Sequence, residues 1–226
     1  MIFGIDISKY EGDINWESIH PSEDQPEISY CFCRSSYGDT TNNPLHAIDP
    51  KFKANWRGAI DSGLIVGAYH YFLPKENMDG IRLQADTFIN QVKNAIRATD
   101  INYLPAAIDI EEPKHNVKAE DYVRGIQTWI ELVEADPLFK GMPTIIYTTK
   151  LVWESLNNPN SFSDHPLWVA DWSENSPRLP TSWINWVFFQ YTENGTYGPL
   201  NTIDMNKFNG DKEKLLNLTR ARTNHI

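Results

Sequence analysis

Two carboxylates, Asp109 and Glu111, close an apolar run in Leu104-Pro105-Ala106-Ala107-Ile108-Asp109-Ile110-Glu111-Glu112-Pro113. Side chains alternate across a strand, so Ala107, Asp109 and Glu111 share one face while Ile108 and Ile110 share the other. If the isoleucines pack outward, both acids point into a common interior. Two like charges held close raise the pKa of one member. The result is a proton donor beside an ionised group, the pair that cleavage of an acetal needs. Asp-x-Glu is a common pattern by chance, and its weight here comes from its place after a wholly apolar strand. Two strand rises separate the Cα atoms by roughly 6.5 Å. The carboxylates then lie about 5 to 9 Å apart according to rotamer, which spans both the retaining and the inverting arrangements.

Other acids sit at comparable positions. Asp6 ends Gly4-Ile5-Asp6-Ile7-Ser8, Asp204 lies in Thr202-Ile203-Asp204-Met205-Asn206, and Asp171 follows Trp168-Val169-Ala170. Gathering them requires a fold that collects strand ends. Strands are predicted at Ile2–Ile7, Ile28–Arg34, Leu64–Phe72, Tyr103–Glu111, Thr144–Thr148, Leu167–Trp172, Trp186–Tyr191 and Thr202–Asn206. Most are near-continuous apolar runs, as expected for strands covered on both faces.

Helical periodicity falls between them. Asp49–Ser62 opens with Asp49 as N-cap and Pro50 at the first helical position, and stops at Gly63. Asp79–Arg97 and Ala119–Ala135 carry apolar stripes. Shorter helices are predicted at Lys150–Leu156 and Asp211–Leu218. Alternating strands and helices imply an α/β class protein with a parallel sheet. Eight strands with about five helices suggest a closed, irregular TIM-like barrel whose last strands are joined by loops or hairpins. Chemistry in such barrels sits at the C-terminal strand ends. The chain reads as one domain, residues 1–226, with no linker and no internal repeat.

Thirty acidic and twenty basic side chains give a net charge of −10, which argues against nucleic acid as a partner. No apolar run approaches a membrane span and no polybasic stretch reads as an anchor. The segment Met1-Ile2-Phe3-Gly4 has no basic leader region, so no signal peptide is expected. Cys31 and Cys33 lie two apart on one strand, which is poor disulfide geometry, and read as free buried thiols. No cysteine or histidine cluster has metal-ligand spacing, so neither a metal nor a cofactor is expected. No Gly-x-Ser-x-Gly and no phosphate loop occurs.

Eight Trp, ten Tyr and ten Phe are enough to fill a core and to line a cleft that stacks flat sugar faces. Arg34 and Tyr37, Tyr69 and Tyr71, and Gln190 are candidate inward polar groups. His70 alternates with the two tyrosines and must face the other side.

These residues, in this order, resemble the glycoside hydrolase family 25 lysozymes, the Chalaropsis-type muramidases. The likeness is carried by Gly4-Ile5-Asp6-Ile7-Ser8, Glu11-Gly12-Asp13-Ile14-Asn15-Trp16, Arg34-Ser35-Ser36-Tyr37-Gly38 and Asp49-Pro50-Lys51-Phe52. It continues through Val66-Gly67-Ala68-Tyr69-His70-Tyr71-Phe72, Asp109-Ile110-Glu111, Ile146-Tyr147-Thr148, Leu167-Trp168-Val169-Ala170, Phe189-Gln190-Tyr191-Thr192 and Ile203-Asp204-Met205-Asn206. The resemblance implies a (β/α)5(β)3 barrel and hydrolysis of the β-1,4 bond between N-acetylmuramic acid and N-acetylglucosamine in peptidoglycan. It implies Glu111 as general acid, with Asp109 beside it holding the substrate N-acetyl group or stabilising positive charge. Asp6 and Asp204 would complete the acidic ring, tuning the pKa of Glu111 and binding sugar. Tyr69, Tyr71, Tyr147, Trp168 and Gln190 would line sugar subsites, together with Arg34, Tyr37 and Asp171.

The chain departs from the family at Asp171-Trp172, where an aromatic or His-Tyr pair is frequent, and in the segment Asn42–His46, which lengthens the loop before Asp49. No separate wall-binding module is expected. The expected partner is the glycan strand, the expected state a monomer, and the expected place of action the cell wall outside the membrane. The enzyme would be made in the cytoplasm and then released, in the manner of an endolysin, or injected, or it would be secreted and trimmed of its leader. Three other readings compete: a chitinase-like glycosidase, a non-catalytic wall-binding or virion protein on the same fold, and a metal-dependent hydrolase. The first lacks the family's upstream aspartates, since Pro105 and Ala107 stand there, and the last lacks clustered histidines.

Overall fold

A computed structural model describes residues 1–21, 23–38, 47–97, 102–112, 117–172 and 176–219. Eight strands close a barrel in chain order: β1 (Ile2–Ile7), β2 (Ile28–Tyr37), β3 (Ile65–Tyr71), β4 (Ala107–Ile110), β5 (Ile145–Thr148), β6 (Leu167–Ala170), β7 (Phe188–Tyr197) and β8 (Leu200–Phe208). Neighbours from β1 to β7 pair in parallel. β8 returns antiparallel to β7 and closes the barrel antiparallel to β1.

Among the described residues the helices are α1 (Phe52–Asp61), α2 (Met78–Ala95), α3 (Ala119–Ala135), α4 (Lys150–Ser155) and α5 (Lys212–Leu218). The eight-stranded irregular barrel with five helices is as expected, but the helices are placed differently from five successive β/α units. β1 leads into two 3-10 turns, Lys9–Glu11 and Trp16–Ser18, and not into an α-helix. The reason is local. Ser8 and Glu11 form a reciprocal capping box, and Gly12 then turns at φ 70°, which ends the turn after three residues.

Several predicted boundaries move: β2, β7 and β8 run longer than their apolar segments, and α1 and β4 start later than expected. α1 begins at Phe52 with Lys51 at its cap, because the Asp49 side chain is engaged by the backbone N–H groups of Lys9 and Lys51 and by Arg34. β4 is shorter than its apolar run. Tyr103 makes only an isolated bridge to Val66, and Pro105, which has no N–H, intervenes before Ala107. Asn42–His46 lies outside the described residues.

The apolar residues divide into two layers. Ile5, Ile7, Val66, Ile108, Ile110, Ile146 and Val169 point outward and pack with the helices. Tyr30, Phe32, Ala107, Trp168, Phe188 and Phe208 fill the barrel interior. Phe32 stacks on Trp168 with centroids 4.4 Å apart and meets Phe188 edge-on at 5.2 Å. Each such buried ring stabilises by about 1.5–3 kcal/mol. Gly4 makes room for this layer, since a Cβ there would sit 2.4 Å from the Tyr30 ring. The aromatic wealth of the sequence is therefore mostly barrel filling, and it forms the floor on which the mouth is built.

Cys31 and Cys33 are free, fully buried and outward-facing, with sulfurs 3.7 Å apart. They touch the helical layer and not the mouth. Cys31→Ala with Cys33→Ala should therefore keep full hydrolytic activity while lowering the thermal midpoint by a few degrees, since small buried groups are lost. A thiol-dependent loss of rate, measured at a temperature where both proteins are folded, would contradict this. His70 takes the structural role that strand alternation predicts. It is fully buried, bonds Ser36 and Gln84, stacks on Trp129, and is held neutral because burial lowers its pKa to about 4.

Candidate active site

The C-terminal strand ends surround a cavity of about 650 Å³. β1 delivers Asp6, β4 delivers Asp109 and, one step past its end, Glu111, and β8 delivers Asp204. All four acids line the cavity. The outward packing of Ile108 and Ile110 is what turns Asp109 and Glu111 inward. Asp6 and Asp204 face each other directly across the antiparallel β1–β8 ladder. Register then carries one ring of side chains around the mouth: Tyr71 beside Asp109, Asp109 beside Tyr147, and Tyr147 beside Trp168.

Burial sets the protonation of this ring. Removal from water is the leading cause for each acid, because it disfavours the charged form. Glu111 is pushed up to about 7 by burial and then by the charge on Asp6, with Arg34 opposing. Asp109 rises well above the usual carboxylate range through burial and the adjacent Glu111. Its Oδ1 is buried with no hydrogen-bond partner. Asp204 is raised to about 9 by burial and by Asp6. Asp6 is raised only to about 6, because hydrogen bonds from Asn206 and Gln190 favour its anion. The ring thus holds several protons near neutrality in a partly dry mouth.

Of the remaining predicted residues, Arg34, Tyr37, Tyr69, Tyr71, Tyr147, Trp168 and Gln190 line the same cavity. Trp168 is sealed to 1% exposure, so it supports the floor more than it offers a stacking face. Arg34 is fixed by Asp49, with Nε to Oδ2 at 2.9 Å, and lies over the Tyr10 and Tyr37 rings. Asp171 is not brought to this cavity. It makes a bidentate pair with Arg178 at 2.8 and 3.0 Å and also accepts the Arg178 backbone N–H. Asp171 lines a separate small pocket of about 170 Å³ with Thr149, Leu151 and Trp172. Asp171→Asn should leave hydrolysis near wild type and lower stability by about 1 kcal/mol or less, because the partner is mostly exposed. A large fall in kcat/KM would return Asp171 to the substrate.

Sequence reasoning missed several lining groups. Trp172, half-exposed, takes the wall position beside Asp171 and donates its indole N–H to Gln190 at 3.0 Å. Lys9, Tyr10 and Glu11 come from the turn after β1, and Glu193 from the β7 hairpin arm. Asn206 was legible, since it lies two residues from Asp204 on the same strand face. Asp49 was not, because local pattern alone made it a helix cap.

No group of three or more metal-ligating side chains occurs among the described residues. The mouth therefore offers carboxyl groups of differing proton affinity, aromatic walls and amide donors, a set suited to acid-assisted cleavage of a glycosidic bond.

Known proteins agree with this geometry. The model of the glycosyl hydrolases family 25 matches residues 5–199. Lysozyme M1 of Streptomyces globisporus is 32% identical over 222 residues, covering 95% of this chain and 70% of that protein. The crystal structure of a bacterial lysozyme from Streptomyces coelicolor superposes with a TM-score of 0.78 at 28% identity, covering 96% of each chain. A family 25 glycosyl hydrolase from Bacillus anthracis gives 0.76 at 27% identity over 96% of this chain and 93% of that one. With the acidic mouth, the closed barrel and a match over most of its length, the chain belongs to glycosyl hydrolases family 25.

Proposed function

We propose that this chain is a lysozyme that hydrolyses the β-1,4 bond between N-acetylmuramic acid and N-acetylglucosamine in peptidoglycan, with Glu111 as its general acid. The observation that supports the acid assignment is the place of Glu111, lining the mouth beside Asp109 where burial pushes its pKa up to about 7. Glu111 protonates the departing oxygen as the glycosidic bond breaks. The positive charge that develops at the anomeric carbon is met by the carboxyl ring.

Asp109 suits a neighbouring-group route. Its unpartnered Oδ1 is an acceptor awaiting a donor, and the substrate acetamide N–H is such a donor. Held there, the acetamide oxygen attacks the anomeric carbon. Water then opens the resulting ring, giving its proton to Glu111, and the product keeps the β configuration. Proton NMR of the first-formed reducing sugar should show the β anomer.

The pH dependence follows from the sign of the Glu111 shift. The acid is protonated, and so competent, below about 7 and loses its proton above it. The rate constant kcat/KM should fall about tenfold per pH unit above roughly pH 7. An alkaline limb near the ordinary glutamate value of about 4.3 would contradict the assignment.

The substrate class is tested by release of reducing ends from purified peptidoglycan and from chitin oligomers in parallel. Preference for peptidoglycan supports the reading. Preference for chitin would favour the chitinase-like reading, and tight wall binding without reducing ends the non-catalytic one.

A further inference from the structure

The mouth contains a fixed chain of hydrogen bonds whose direction can be read without knowing any proton in advance. The Gln190 side chain bonds three groups: the Tyr147 hydroxyl at 3.0 Å, the Trp172 indole Nε1 at 3.0 Å and Asp6 Oδ2 at 3.0 Å. An indole N–H can only donate, so the end of the amide facing Trp172 must be its oxygen. The nitrogen end therefore faces Asp6. Asn206 repeats the arrangement. Trp168 Nε1 donates to its Oδ1 at 2.7 Å, which leaves Nδ2 to donate to the same Asp6 Oδ2 at 2.7 Å. Two tryptophans thus orient two amides, and both amides aim N–H groups at one carboxylate oxygen.

Both lone pairs of that oxygen are taken, and two donated N–H groups favour the anion of Asp6 over its neutral form. Asp204 stands directly opposite Asp6 across the antiparallel β1–β8 ladder, and two carboxyl groups brought together in a buried mouth share one proton. The two amides assign it to Asp204. We propose that Gln190 and Asn206 are positioning residues that hold Asp6 as the anion of a one-proton pair with Asp204, and that this clamp is what lets the pair tune Glu111 as the family resemblance implies. The second half rests on the reading of Glu111 as the acid.

The surroundings agree. Asp6 is the leading charge favouring protonated Glu111. Glu11 and Glu193 add negative charge around the pair, from the turn after β1 and from β7. Asp109 on β4, Tyr30 on β2, Tyr69 on β3 and Tyr147 on β5 also face Asp6, and the burial-raised tyrosines stay neutral. Arg34 on β2 is the opposing cation. The amide clamp explains how one member of a crowded acid ring stays ionised. Its outermost link, Trp172, stands half-exposed on the cleft wall.

Infrared difference spectroscopy of the folded enzyme at pH 7 tests the proton. The wild-type minus Asp204→Asn difference spectrum should contain one protonated carboxyl C=O band, while the bands of Asp109 and Glu111 are common to both proteins and cancel. Absence of that band from the difference would overturn the assignment. The pH profile tests the clamp. Gln190→Met removes one donor from Asp6, and the alkaline limb of kcat/KM should move to lower pH by about one unit. Trp172→Phe removes only the orienting indole, and the limb should move the same way by less. This milder change keeps the test available if Gln190→Met does not fold by near-ultraviolet circular dichroism. A uniform fall in rate with the limb unmoved would mean a merely structural role and would overturn the proposal. Absence of any hydrolysis by the wild type would sink the lysozyme reading instead, while the infrared band still decides where the proton lies.

Discussion

Glu111→Gln should reduce turnover of peptidoglycan by more than about 10³-fold while leaving the barrel folded and glycan binding intact. Glutamine keeps the volume and hydrogen-bonding capacity of the acid and removes only its transferable proton. Nothing in the packing is disturbed, because Glu111 lies just beyond the end of β4, and the Ile108 and Ile110 side chains that anchor the strand are untouched. The burial that raises Glu111 to about 7 is unfavourable to its carboxylate, so the variant should be at least as stable as the wild type at pH 8. Wild-type turnover would remove Glu111 from the mechanism. Loss of binding together with turnover would make it a substrate contact.

Asp109→Asn should slow hydrolysis by about 10²- to 10³-fold and at the same time raise the thermal midpoint. Asp109 is 5% exposed, with one carboxylate oxygen unpartnered and a pKa pushed up by burial and by Glu111. A carboxylate whose folded-state pKa lies above its unfolded value of about 3.9 takes up a proton on folding. Stability conferred by the group is therefore fully present below pH 4 and is lost as pH rises toward the folded-state value. Asparagine avoids that loss. The variant should gain about 1 kcal/mol at pH 7, or roughly 2–4 °C, and the gain should vanish below pH 4. A near-normal rate would take Asp109 out of the reaction. A lower midpoint at pH 7 would show that its charge is better compensated than its surroundings indicate.

Both predictions concern residues that the sequence marks by a physical pattern. Alternation placed Asp109 and Glu111 on one face and the isoleucines on the other, and the barrel obeys it because the outer layer of isoleucines has helices to meet. Asp6 and Asp204 were legible as acids ending apolar strands. Their pairing was not, because it depends on β8 returning antiparallel to β1, a long-range closure with no local signature. The same limit hid Asp49. Its neighbours Asp49-Pro50 imitate a helix start, whereas its carboxylate is captured by Arg34, fifteen residues earlier in the chain, and by the Lys9 backbone. Asp171 misled in the opposite sense. An acid after an apolar strand resembled Asp109, but Arg178 lies close enough to draw it away from the mouth, and Trp172 takes the wall position. The aromatics divided in a way composition cannot reveal. Phe32 and Phe188 fill the barrel interior, Trp168 on top of them forms the cavity floor, and the tyrosines around it form the walls.

The central claim is the identity of the bond cleaved. Mass spectrometry of products released from purified peptidoglycan, with and without borohydride reduction, tests it most directly. Reduction converts only the new reducing end to its alditol. Muramitol is expected at the ends of the released fragments. Glucosaminitol in its place would move cleavage to the other glycosidic bond and contradict the assignment of this chain as a muramidase.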